Sequence, residues 1–163
     1  MAESNKLHQI NMQYSSKEDR ILLRTSTENN DEYLIWLTRR YTKLLIDIFD
    51  KEIEQRGGTT TIGTQNETKK LLNEGAFEKP YVEETPKSHP LGENGVLAFG
   101  IKTGTDKEGN FSLLIQSESG KGITYNLNDS LIYMFYSLLT QSIQRAEWNV
   151  GKLIENPENK QLH

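Results

Sequence analysis

The sequence contains no cysteine and only three histidines. Without thiols, neither a disulfide framework nor a thiolate metal site can form. The histidines, His8, His89 and His163, lie far apart, and none has a second histidine or a carboxylate at the spacing of metal ligands on a helix. We therefore expect neither a bound metal ion nor any other cofactor.

Long apolar segments are also missing. No stretch reaches the about 18 consecutive apolar residues of a membrane-spanning helix, and residues 1–13 contain no apolar run of signal-peptide length. These features predict a cytoplasmic protein without a membrane partner. The formal net charge of −4 argues against a protein that coats nucleic acid nonspecifically, because such binding depends mainly on phosphate neutralisation.

The sequence motifs of catalysis are incomplete. Residues 119–122, Ser-Gly-Lys-Gly, resemble part of a phosphate-binding loop, but the earlier glycine of that motif is missing and no helix follows directly. Residues 102–104, Lys-Thr-Gly, lack the Ser-x-x-Lys motif that accompanies them in serine acyl-enzymes. Residues 106–110 lack the distal glutamate of a calcium loop. Turns and strand ends explain all three segments, and we predict that the protein is not an enzyme.

What the sequence does contain is one helical pattern of apolar residues that occurs twice. Every apolar position of the first pattern is apolar again about 90 residues later. The two sets are Tyr41, Leu44, Leu45, Ile48, Phe49, Ile53 and Leu131, Met134, Phe135, Leu138, Leu139, Ile143. Thr38 and Asn128, both good helix N-cap residues, precede the two patterns at the same offset. The alternative is that any two amphipathic helices that follow β-meanders look alike.

Three runs with strand character precede each helical pattern. Apolar residues alternate in the first run of each copy, at Ile10, Met12, Tyr14 and at Leu97, Phe99, Ile101, and such alternation is typical of a strand with one buried face. We predict strands at 7–14, 20–27, 33–37, 96–103, 111–118 and 122–127, and helices at 38–55 and 128–148. The predicted fold class is α+β, with two pseudo-repeated β-β-β-α units, antiparallel sheets and two packed helices in one spatial domain.

The predicted units occupy residues 1–56 and 96–150. Only 34% of all residues are apolar, so some of the chain should lie outside the core. The polar, proline-punctuated segment 57–95 is the predicted flexible linker, in which a short helix over 64–77 can form. The polar tail 151–163 is predicted to be frayed.

The second predicted helix is apolar over a wider arc than a one-sided stripe. It is therefore either the central helix of the domain or part of a subunit interface. In the second case the interface candidates are Ile132, Tyr133 and Tyr136, and a homodimer is a secondary prediction.

A group of basic and aromatic residues is the candidate site for an anion or a nucleic acid. Even spacing places Arg20 and Arg24 on one strand face. Arg39 and Arg40 occupy the first turn of a helix, where the macrodipole favours anions, so a bound anion would explain these cations. The full set is Arg20, Arg24, Arg39, Arg40, Lys43, Tyr33, Trp36 and Tyr125. The alternative is that the cations form salt bridges with the nearby acids Glu18, Asp19, Asp31 and Glu32.

The tandem order of β-meander and helix across residues 7–55 and 96–148 resembles the Whirly and Pur-type single-stranded nucleic-acid-binding proteins. The resemblance implies antiparallel sheets with helices packed behind them, and strands bound on the curved sheet face. The sequence departs from these families in having three predicted strands per unit instead of four and an acidic net charge. The run 32–40 also resembles a segment of uncharacterised bacterial proteins, which implies no function.

Two functions follow from these patterns. The first is a non-enzymatic protein–protein interaction module, such as an adaptor or assembly factor, which the acidic balance and the wide apolar arc of the second helix favour. The alternative is a single-stranded nucleic-acid-binding protein, in which the basic residues meet phosphates and the aromatic residues stack on bases.

Overall fold

The computed structural model describes residues 7–66, 68–69 and 88–148. The strands are β1 (Leu7–Ser15), β2 (Arg20–Thr27), β3 (Glu32–Leu37), β4 (Val96–Leu97), β5 (Gly100–Thr105), β6 (Phe111–Gln116) and β7 (Gly122–Leu127). The helices are α1 (Arg39–Gln55), α2 (Gly58–Gly63) and α3 (Asp129–Ala146). This α+β fold confirms the predicted class. Internal duplication stays a prediction, although three strands and a helix follow one another in both halves.

Part of the predicted linker forms regular structure, because α2 lies within residues 57–95. Most of the helix predicted over 64–77 lies outside the described residues, and so does the tail 151–163.

Two sheets form the framework of the fold. Sheet 1 has the strand order β1-β2-β3-β4, in which the first three strands are antiparallel and β4 runs parallel to β3. Sheet 2 is an antiparallel meander of β5, β6 and β7. Each sheet buries one face, as the alternation in β6 shows, where Phe111, Leu113 and Ile115 are buried and the residues between them are half-buried.

The single strand predicted over 96–103 is wrong, because the chain changes sheets within it. The N–H of Ala98 donates to Trp36 O in sheet 1 (2.9 Å), and the N–H of Phe99 donates to Gln116 O in sheet 2 (2.8 Å). Gly100 is also paired with Gln116, so two residues face one across the ladder, which is a β-bulge. The bulge reverses the two faces of the strand, and an alternating pattern cannot reveal this.

Both predicted helix caps are confirmed. Thr38 Oγ1 accepts the N–H of Tyr41 (3.2 Å), and Asn128 Oδ1 accepts the N–H of Leu131 (2.9 Å). Each cap satisfies an N–H group that has no partner within its helix. The two helices therefore begin where the short polar side chains of the sequence placed them.

Aromatic rings from four elements form the centre of the core. Phe49 of α1 stacks on Phe135 of α3, with 5.2 Å between the ring centroids, and meets Phe111 of β6 edge-on at 5.8 Å. Tyr125 of β7 meets Phe135 edge-on at 5.7 Å. The Tyr125 hydroxyl lies 3.0 Å from Thr25 Oγ1 on β2, a buried hydrogen bond that links the two sheets.

Helix α3 is the central helix of the domain, which accounts for its wide apolar arc, while the homodimer stays a prediction. It contacts β1, β7, α1 and α2, and Ile132 is fully buried. The ring of Tyr133 packs so closely on Gly63 of α2 that a Cβ atom there would lie 2.8 Å from it. The Tyr136 hydroxyl donates to Asp50 of α1 at 2.9 Å.

No helix among the described residues has the length and apolarity to cross a membrane.

We expect Gly122→Ala to destabilise the protein strongly, because its Cβ would lie 2.2 Å from Ile115 O and 2.7 Å from the Cα of Gln116. Such overpacking costs about 1–3 kcal/mol or more of unfolding free energy. Gly104→Ala is the matched control, since a Cβ at that strand position meets nothing within 4 Å, and its effect should stay within about 1 kcal/mol. Urea unfolding of both variants measures the difference, and equal midpoints would contradict the packing at Gly122.

Candidate interaction surface

The strand register brings one row of side chains together on the outer face of sheet 1. Gln13, Leu22, Trp36 and Leu97 are successive neighbours across β1, β2, β3 and β4. The inner face of the same strands holds core residues, of which Ile35 is one. The row is therefore polar on β1 and apolar from β2 to β4.

Two residues of this region expose large apolar side chains. Leu97 is 42% exposed and Phe99 is 67% exposed, and Leu44 is the only other large hydrophobic residue of the described chain that is exposed. The exposure of Leu97 and Phe99 follows from the change of sheets. The side chains of Val96 and Ala98 turn towards the core, and the bulge leaves the Phe99 side chain on the outer surface. The prediction that Leu97 and Phe99 lie on a buried strand face was wrong.

The neighbouring Trp36 is half-buried, and its indole N–H donates to Asn94 O at 3.2 Å. Gly95 lets the chain before β4 pass close to β3, because a Cβ at this position would lie 2.5 Å from Leu34 O. Its φ of +78° also favours glycine. We name the five apolar residues of this region the junction surface: Leu22, Leu34, Trp36, Leu97 and Phe99.

A groove of about 510 Å³ opens beside the junction surface. Its lining consists of Val96, Leu97, Phe99 and the turn residues Ser117–Ser119. In the β3–β4 pair, the backbone hydrogen bonds are made by Val96 and Ala98, the residues on either side of Leu97. The N–H and C=O groups of Leu97 therefore point away from β3, towards the groove. An apolar floor with a polar rim is the composition of protein–protein interfaces.

The predicted basic group is divided by the structure. Arg20 and Arg24 lie on the outer face of sheet 1, as their even spacing predicted, but both have carboxylate partners. Arg20 lies 3.6 Å from Glu18, and Arg24 lies 3.2 Å from the buried carboxylate of Glu32. A ring nitrogen of His89 lies 2.8 Å from the other oxygen of Glu32. The salt-bridge alternative therefore describes these two arginines.

Asp19 joins the β1–β2 turn to the end of α3. Its Oδ1 accepts the hydroxyl of Tyr14 (2.7 Å) and the indole N–H of Trp148 (2.9 Å). Arg39 lies 3.6 Å from its other oxygen and 5.6 Å from the ring centroid of Trp148. The hydrogen bond from Tyr14, followed by that from Trp148, lowers the pKa of Asp19. Sequence reasoning missed Trp148, which lies after the last helical turn and carries no motif.

The remaining members of the basic group have different environments. Arg40 and Lys43 are exposed on α1, and the ion pairs of the described residues include neither. Tyr33 packs partly against the core, and Tyr125 is buried. Of the predicted stacking residues, Trp36 therefore shares the outer sheet face with Arg20 and Arg24, whereas the two tyrosines point inward.

Comparisons with known proteins add no assignment: neither a protein-family model, nor a curated protein, nor a solved structure matches the chain. The resemblance to Whirly and Pur-type proteins stays a prediction from the order of elements. Within residues 7–66, 68–69 and 88–148, no group of three or more His, Asp or Glu side chains is arranged to hold a metal ion.

We expect Asp19→Asn to weaken the acid dependence of stability. The lowered pKa of Asp19 means that its ionised form stabilises the fold above the unfolded-state pKa, and that this contribution is lost as the pH falls through the folded-state pKa. Thermal melts between about pH 6 and pH 2 should show a shallower decline for Asp19→Asn than for the wild type.

Asp47→Asn is the control for this experiment, because Asp47 is exposed on α1 and takes part in none of the described side-chain hydrogen bonds or ion pairs. Its profile should follow the wild type. Parallel profiles for Asp19→Asn and the wild type would contradict the proposed role of the carboxylate.

Proposed function

We propose that the protein is a non-enzymatic protein–protein interaction module, of adaptor or assembly type, that binds a partner protein through the junction surface. The exposure of Phe99 and Leu97, at 67% and 42%, carries this proposal. Fully burying a large apolar side chain gains about 1.5–3 kcal/mol. This fold forgoes part of that gain at both Leu97 and Phe99. Apolar patches with a polar rim mark interaction sites on soluble proteins.

The junction surface also has the anatomy of a binding hot spot. Trp36 is of the residue type most enriched in such centres, and its hydrogen bond to Asn94 holds the ring in place before binding. A side chain that is already ordered loses less conformational entropy when a partner covers it. The polar rim of Ser117, Glu118 and Ser119 then surrounds an apolar centre.

Single-stranded nucleic-acid binding is the second candidate, because Arg20, Arg24 and Trp36 share the outer face of sheet 1. Phosphates would have to replace the carboxylates of Glu18 and Glu32 as partners of the two arginines. Glu32 is buried, so withdrawing Arg24 from it would weaken the charge pairing of a carboxylate in the protein interior. This cost places the nucleic-acid function second.

We expect the Leu97→Ser/Phe99→Ser variant to lose its partner without losing stability, because both side chains are exposed. A photo-crosslinking amino acid at Ser119, on the rim of the groove, should join the partner to the wild type. The crosslinked product should fall by about tenfold or more in the double variant. The same label at Thr59, which is exposed on α2, is the control and should give no such product.

Three outcomes would contradict the proposal: equal crosslinking at both positions, equal products in wild type and double variant, or a marked fall in the melting temperature of the double variant. A crosslinked second copy of the chain would show a homodimer instead of a separate partner. Salt-sensitive binding of labelled oligo-dT that is lost in Arg20→Ala/Trp36→Ala would favour the nucleic-acid function.

A further inference from the structure

Strand β5 lies at the edge of sheet 2, and no described strand pairs with its outer side. The register fixes which backbone groups face outward. The N–H of Asp106 donates to Asn110 O (3.0 Å) at the end of the hairpin, so every second residue before Asp106 is hydrogen-bonded to β6. These bonded residues are Gly100, Lys102 and Gly104. The residues between them, Ile101, Thr103 and Thr105, therefore direct their N–H and C=O groups out of the sheet.

The outer edge of β5 is accessible, and no strand among the described residues pairs with it. Residues 102–105 are all exposed, so neither face of this half of the strand is covered. Natural proteins usually protect such edges with prolines, charges or a covering segment. Strand β5 contains no proline and a single charge, at Lys102. Its edge is therefore an open template for another strand.

An apolar flank of α1 accompanies this edge. The Tyr41 hydroxyl donates to Gly100 O at 2.9 Å and anchors α1 beside the start of β5. On its other side α1 faces α3, through the stacked ring of Phe49. Helical spacing places Leu44 and Ile48 on the flank of Tyr41, away from α3. Leu44 is 48% exposed on this flank, which leaves an apolar surface next to the β5 edge.

Unpaired cations surround the same place. Arg40 and Lys51 lie four positions before and seven positions after Leu44, which puts them on its side of the helix. Both are exposed, as is Lys102 on β5, and none of the three belongs to an ion pair of the described residues. The same spacing places one exposed acid, Asp47, beside Leu44 and Lys51. The three cations outnumber it, so the region is locally cationic in a chain whose net charge is −4.

We propose that the β5 edge binds an extended, acidic segment of a partner protein by strand addition. The outward N–H and C=O groups of Ile101, Thr103 and Thr105 pair with the backbone of this segment. Its apolar side chains cover Leu44, and its carboxylates meet the cations. Strand addition takes its affinity from the main chain and its specificity from alternate side chains, so a segment of alternating apolar and acidic residues fits this edge.

A second copy of the chain fits the edge less well than an acidic segment. Two β5 strands paired about a two-fold axis would bring Lys102, Arg40 and Lys51 close to the same cations of the other copy, and like charges across a strand pair are destabilising. The β5 edge is a different surface from the junction surface. The open edge of β5 lies on the same side of the chain as the edge through which β4 pairs with β3. The groove at Leu97 lies on the opposite side of the strand.

The test is selection of a random dodecapeptide library on the full-length protein. We expect the enriched peptides to alternate apolar and acidic residues, and to bind Thr103→Pro at least about tenfold more weakly than the wild type. Proline removes the outward N–H of residue 103 and leaves the bonds between β5 and β6 intact. Thr103→Ala keeps this N–H and is the matched control, which should bind like the wild type.

Two further measurements keep the test decisive if Thr103→Pro fails to fold. Peptide binding should slow hydrogen exchange at the amides of Thr103 and Thr105, whereas the amides of Lys102 and Gly104 are already protected by β6. The charge reversal Arg40→Glu/Lys51→Glu should weaken peptide binding by about tenfold. Lys17→Glu, an exposed cation in the β1–β2 turn, is its control.

Failure of this inference is distinct from failure of the proposed function, because peptide binding should survive in Leu97→Ser/Phe99→Ser. The inference is overturned if no peptide is enriched, or if Thr103→Pro and the wild type bind the enriched peptides equally. It is also overturned if oligo-dT protects the amides of Thr103 and Thr105, which would assign the edge to nucleic acid. A dimer that Thr103→Pro dissociates would assign it to a second copy of the chain.

Discussion

The packing of Phe49 on Phe135 is the contact on which the rest of the structure depends. Each half of the chain supplies one of these rings and one helix, and each helix covers strands of the other half. Helix α1 contacts sheet 2 through Phe111, while α3 lies against β1 of sheet 1. Because neither sheet can bury its apolar face with its own helix alone, the two halves form one core instead of two domains.

This exchange explains which apolar surfaces remain exposed. The wide apolar arc of α3 is used inside the molecule, since α1, α2 and β1 surround it. The free surfaces arise instead where the chain passes from sheet 1 to sheet 2, at the bulge formed by Phe99 and Gly100. That bulge exposes Phe99 on one side of the strand and leaves the edge of β5 open on the other. Both candidate contact surfaces therefore meet at this change of sheets.

Three of the predicted cations have the salt-bridging role that was the alternative to an anion site. Arg20, Arg24 and Arg39 each lie near a carboxylate of the same chain, and Asp19 also receives hydrogen bonds from two aromatic residues. These ion pairs join residues of β2 and β3, of the β1–β2 turn and of the start of α1. The cations without a described carboxylate partner include Arg40, which was in the predicted group, and Lys51, which was not. Strand register and helix placement decide which charges are paired, and neither is a local property.

The sequence by itself determined the fold class, the two long helices, five of the strands and the two helix caps, because periods of 2.0 and 3.6 residues and the capping by Thr38 and Asn128 depend on neighbouring residues alone. Only the tertiary structure decided that the run through Leu97 and Phe99 changes sheets, and that Tyr125 is buried against Thr25. An alternating pattern states that a strand has two faces. It does not state which face is buried or which strand is its partner, because contacts between distant segments settle both.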